Sequence, residues 1–102
     1  MTMTGKERAV LRGEANRLTA QVHVGQAGAD DSAVRSLTDV LRTHELVKVQ
    51  LSKHAEVKPK ELARQLAIST RSEVVQVIGR TATFYRHNPE LKRKDGVPPW
   101  RR

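Results

Sequence analysis

At 102 residues the chain is long enough for one domain with a modest core and leaves no room for a second. It contains no cysteine, which excludes disulfides and thiolate metal sites, and no apolar run approaches the roughly 20 residues of a membrane helix. Nineteen Lys and Arg against eleven Asp and Glu give a net charge of +8, so a polyanionic partner such as nucleic acid is expected, drawn in by the field and held by counterion release.

The opening MTMTGKERAV lacks the apolar stretch of a signal peptide, so a cytoplasmic protein is expected. Residues 5–18 put Leu11, Ala15 and Leu18 on one stripe and Lys6, Arg8, Arg12 and Arg17 elsewhere, which predicts an amphipathic first helix weakened by Gly13. Residues 21–24 alternate as a strand, with Val22 and Val24 on one face and Gln21 and His23 on the other. Gly25, Gln26, Ala27 and Gly28 follow, and Asp30 is placed to cap a helix that runs to about Arg42 through Val34, Leu37, Val40 and Leu41.

In LVKVQLS, residues 46–52, Val47, Val49 and Leu51 point one way while Lys48, Gln50 and Ser52 point the other, the pattern of a strand with a dry and a wet face. Pro59 suits the first turn of a third helix carrying Leu62, Ala63, Leu66 and Ala67 and ending around Ser69. EVVQVIGRTATFYR reads as two strands joined by a tight turn at Gly79 and Arg80. The order α-β-α-β-α-β-β defines an α/β domain with helical crossovers over a mixed sheet whose last two strands are antiparallel. After Arg86 the periodicity stops, and Pro89, Gly96, Pro98 and Pro99 surround a Lys-Arg-Lys run. The expected organisation is a domain over residues 1–86 and a basic flexible tail over residues 87–102.

The glycine pair sits where a strand hands over to a helix, and such a loop presents unpaired N–H groups and the positive end of a helix dipole, both suited to a phosphate. Side chains at Gly25 and Gly28 would keep a ligand's backbone away, which is the logic of the GxxG loop of KH domains; a plain turn would also account for the pattern. Asp30 and Asp31 complicate the site, because a carboxylate repels an anion unless it is used for capping or points away. Other candidate contacts are Arg12 and Arg17 on the first helix, Lys48 on the wet face of the second strand, and Arg80 and Arg86 at the two ends of the last. In the tail, Lys92, Arg93 and Lys94 with Arg101 and Arg102 could follow a backbone while Trp100 stacks on a base. Each is equally a residue that solubilises the surface. Tyr85 alternates with Phe84, so one ring is expected in the core and the other nearer the surface. With three aromatics in the chain, a platform of stacked rings is not expected, and recognition should rest on backbone and shape.

Taken in order, LRGEANRLTAQVHVGQAG, the helix after it, HELVKVQL and VQVIGRTATFYR resemble the CRM domain, the chloroplast RNA splicing and ribosome maturation family, and within it the small stand-alone bacterial YhbY-like proteins. The resemblance covers residues 8–86. It implies an RNA-binding domain with a four-stranded sheet and three helices, in which Gly25 to Gly28 form the RNA-contacting GxxG loop. In bacteria it also implies association with rRNA precursors of the large ribosomal subunit, in a pre-ribosomal particle. Two alternatives remain on the sequence: a general nucleic-acid-binding module, and a factor docked on ribosomal proteins through the apolar surface of the first helix. Catalysis is not expected. His23, His44, His54 and His87 show no metal-ligand spacing, and the chain has neither a P-loop nor a nucleophile elbow, so no cofactor, metal or small-molecule substrate is expected and no membrane partner either.

Overall fold

The computed structural model describes residues 3–91 and 98–101. Thr4 starts the first helix, α1 (Gly5–Ala15), by a capping box: its hydroxyl accepts the Glu7 N–H at 3.1 Å while the Glu7 carboxylate returns to the Thr4 N–H. Strand β1 (Val22–Val24) leads through the glycine loop into α2 (Asp31–His44), then follow β2 (Leu46–Leu51), α3 (Pro59–Thr70), β3 (Glu73–Ile78) and β4 (Thr81–Tyr85). The element order and the mixed four-stranded sheet are those expected from the sequence.

The strands lie in the order β1-β2-β4-β3. β1 pairs parallel with β2, and β4 is antiparallel to both β2 and β3, so it is inserted between two strands that run the same way. One face of the sheet, carrying Val22, Val24, Val47, Val49, Ala82 and Phe84, is buried with Leu37, Leu41, Leu62 and Leu66 of α2 and α3. Phe84 is fully buried there, and its neighbour Tyr85 is half-buried on the opposite face.

Three expectations are corrected. The first helix ends at Ala15 rather than near residue 18, because the chain turns at Asn16 and the Lys48 ammonium collects the Ala15 and Leu18 carbonyls at 3.3 and 3.2 Å. Accordingly the second face of β2 is not wet throughout: α1 covers its first half, burying Leu46 with Leu11 and Val75, and leaves Gln50 exposed. Val75 itself is the extra residue of a bulge, since Val74 pairs with Phe84 and Gln76 with Thr83.

The third correction concerns the C-terminal segment. Lys92, Arg93 and Lys94 lie outside the described residues, but Pro99–Arg101 form a short 3-10 turn in which Pro99 is buried. The Trp100 ring meets Tyr85 edge-on, centroids 6.0 Å apart at 87°, and joins the Leu11–Leu46–Val75 cluster. Trp100 is therefore packed on the domain. Trp100→Ala is expected to cost about 2 kcal/mol in urea unfolding, from lost burial and the edge contact, with RNA affinity unchanged. Weakened RNA binding with unaltered stability would return the ring to the ligand.

Candidate nucleic-acid interface

Because β1 and β2 are parallel and β4 runs against β2, the loops after β1 and β2 and the turn between β3 and β4 all emerge at one rim of the sheet. The backbone ties them together there: the Ser52 N–H donates to the Val24 carbonyl at 2.9 Å and the Leu51 N–H to the Arg80 carbonyl at 2.7 Å. The Arg80 guanidinium adds a bond to the Ser52 carbonyl at 3.2 Å. In open α/β sheets the carboxyl ends of the strands are where ligands bind.

Gly25 to Gly28 close a tight turn through the Gly28 N–H, which donates to the Gly25 carbonyl at 3.0 Å. The two glycines serve different purposes. Gly28 has φ +68°, a left-handed conformation that a side chain resists, and a Cβ there would meet Leu62 Cδ1 at 3.4 Å. Gly25 has no such φ, and a Cβ built on it meets nothing within 4 Å. The backbone therefore favours glycine at residue 28, whereas at residue 25 a side chain would stand in open space.

The donors follow from the same geometry. The Gly28 N–H is spent on the turn, whereas among the described residues no acceptor meets the N–H groups of Gln26 and Ala27. Asp30 is the N-cap of α2, its Oδ1 accepting the Ala33 N–H at 2.8 Å, which leaves the first-turn N–H groups of Asp31 and Ser32 as helix orphans. The Asp30 carboxylate is thus consumed by capping, and Asp31 is an exposed residue of the first turn. A cleft of about 430 Å³ opens beside the turn, between Gly28, Asp30, Glu56 and Gln65.

Of the candidate cations, Arg80 lies on this rim. Arg12 and Arg17 are exposed along and just beyond α1. Lys48 is engaged by the end of α1, and its ammonium acts as a structural cap for two carbonyls. Arg86 follows β4 at the far end of the sheet, the length of the five-residue strand or about 17 Å from the rim, with its N–H on the Glu45 carbonyl. Lys53 and His54, in the loop after β2, are rim residues that the sequence reading did not single out. The signal for them was the parallel crossover itself, which puts whatever follows the second strand beside the glycine loop. Among the described residues no three His, Asp or Glu side chains come together as a metal site, and no helix is long and apolar enough to cross a membrane.

A small basic α/β domain with free backbone donors, a helix N-terminus and cations on one rim has the architecture of a polyanion-binding module. The comparisons with known proteins give that class a family: residues 3–86 match the CRS1 / YhbY (CRM) domain, and the chain belongs to this family. It is 33% identical over 90 residues to the probable RNA-binding protein YqeI of Bacillus subtilis, covering 88% of this chain and 94% of that one. It is 29% identical over 90 residues to the probable RNA-binding protein PA4753 of Pseudomonas aeruginosa, covering 88% of this chain and 86% of the relative. The solution structure of protein SAV1595 from Staphylococcus aureus superposes with a TM-score of 0.78 at 35% identity, over 89% of this chain and 95% of that one.

Proposed function

We propose that the protein is a non-enzymatic, cytoplasmic RNA-binding factor that associates with rRNA in a precursor of the large ribosomal subunit. The observation that carries the binding mode is the rim loop, with the N–H groups of Gln26 and Ala27 unspent and open space at Gly25. A phosphate seated against those donors would also meet the first turn of α2, while Arg80 and Lys53 neutralise its neighbours. The two bacterial relatives named above as RNA-binding proteins support RNA as the polyanion. The ribosomal assignment rests on the resemblance to the stand-alone bacterial YhbY-like proteins.

Sedimentation of a cell extract at low and moderate salt tests the assignment, each fraction being probed for the wild-type protein and for Gly25→Asp. Wild-type protein is expected with large-subunit precursors, and the variant near the top of the gradient. Wild-type protein at the top in both salts would remove the assembly role and leave a general nucleic-acid-binding module.

A further inference from the structure

The rim is continuous with a part of the sheet that, among the described residues, no helix covers. The register places His23 opposite Gln50, Gln50 opposite Thr81, and Thr81 opposite Ile78, so one side chain from each of the four strands lies in a single row on the face away from α2 and α3. Across three strand spacings the row spans about 14 Å. α1 stops short of it: the last turn of that helix lies over the next row, where Lys48 reaches the Ala15 carbonyl and Gln76 donates to the Asn16 side chain at 3.3 Å. His23 and Gln50 are exposed, and Ile78 is 61% exposed, an apolar side chain standing open at the end of an otherwise polar row.

We infer that this row, His23–Gln50–Thr81–Ile78, seats the bases of a single-stranded RNA segment whose backbone is held by the adjoining glycine loop. The inference rests on the phosphate-binding reading of that loop and extends it from backbone grip to base contact. The chemistry is graded as a nucleic acid requires. The row carries no carboxylate and no permanent cation, whereas its surroundings carry Arg17 beyond α1, Lys53 after β2 and Arg80 in the β3–β4 turn. Uncharged flat bases thus face an uncharged strip, and phosphates face the cations around it. The imidazole of His23 and the aliphatic surface of Ile78 offer stacking and apolar contact without any Phe, Tyr or Trp. Between them the Thr81 hydroxyl lies 3.4 Å from the Gln50 side-chain oxygen, which leaves the Gln50 amide nitrogen to donate to a base edge. A four-stranded sheet face has room for about two or three bases. An A-form duplex keeps its bases stacked inside and cannot lay them on a flat strip, so the row selects single strands.

The test compares a short uridine-rich single strand with an RNA duplex of matched length, using the full chain and the triple variant His23→Thr, Gln50→Thr, Ile78→Thr. Threonine retains strand propensity at all three positions. Single-strand affinity is expected to fall about tenfold or more while duplex affinity changes less than about twofold, the unchanged duplex binding also showing that the variant folds. Unchanged single-strand binding, or an equal loss for both probes, overturns the inference. Should the variant fail to fold, wild-type amide resonances decide: those of His23, Gln50, Thr81 and Ile78 must shift with the single strand and stay still with the duplex. Gly25→Asp separates the two readings. Loss of both probes supports the loop grip, and loss of neither removes the grip while leaving the result for the row as measured.

Discussion

Gly25→Asp is expected to lower RNA affinity about tenfold or more at moderate salt, equivalent to at least about 1.4 kcal/mol, while leaving the unfolding free energy within about 0.5 kcal/mol of wild type. Two effects add in the complex. The new side chain occupies the space through which a phosphate would reach the Gln26 and Ala27 N–H groups, and its charge opposes an anion at a few ångströms, where even a partly screened pair is worth about 1 kcal/mol or more. In the free protein neither effect has a counterpart, because the Cβ position at Gly25 is open and its φ is ordinary. Gly28→Asp does not isolate binding in this way: at φ +68° a side chain strains the turn and is expected to cost about 1 kcal/mol of stability by itself. Fluorescence anisotropy with labelled RNA and urea unfolding, read together, check both statements. Wild-type affinity in Gly25→Asp would take the loop out of the binding surface.

The elements that the sequence revealed are those whose information is local. Asp30 at the start of α2, Pro59 opening α3 and Gly79 with φ +57° in the hairpin turn each fix an end through their own backbone chemistry. The alternation of Val47, Val49 and Leu51 likewise named the core face of β2. What remained hidden depends on pairing between distant segments. Lys48 looked like a free cation on a wet face because nothing near it in sequence shows that α1 ends above it. Trp100 looked like part of a free tail because its partners, Tyr85 and Leu11, are fixed only when the sheet forms. The site divides in the same way. Gly25 to Gly28 were visible as a motif, but the different reasons for the two glycines and the loss of the Gly28 N–H to the turn are visible only in three dimensions. The open row across the sheet needed the register of four strands, which no periodicity supplies.

Glu45 is the clearest case of a residue whose importance lies entirely in such pairing. It is the single residue between α2 and β2, it is fully buried, and it sits at φ 63°, ψ −48°, where a glycine would be expected. The side chain explains the exception: its Oε2 accepts the Asn88 N–H at 2.6 Å and lies 3.2 Å from His87 Nδ1, while its backbone carbonyl accepts the Arg86 N–H at 2.9 Å. The chain leaving β4 is thereby fastened to the start of β2, and the contacts offset the backbone strain. Glu45→Ala keeps the strain and removes the carboxylate, stranding the Asn88 N–H, and is expected to cost about 3 kcal/mol, a fall in Tm of about 15 °C for a domain of this size. Glu45→Gly loses the same contacts but accepts the positive φ, so it should be more stable than the alanine variant by about 1 kcal/mol. Thermal and urea unfolding of the two variants give the order directly. Equal stabilities would show that the backbone at residue 45 is unstrained, and a glycine variant as stable as wild type would show that the buried carboxylate contributes no more than the backbone strain that it offsets.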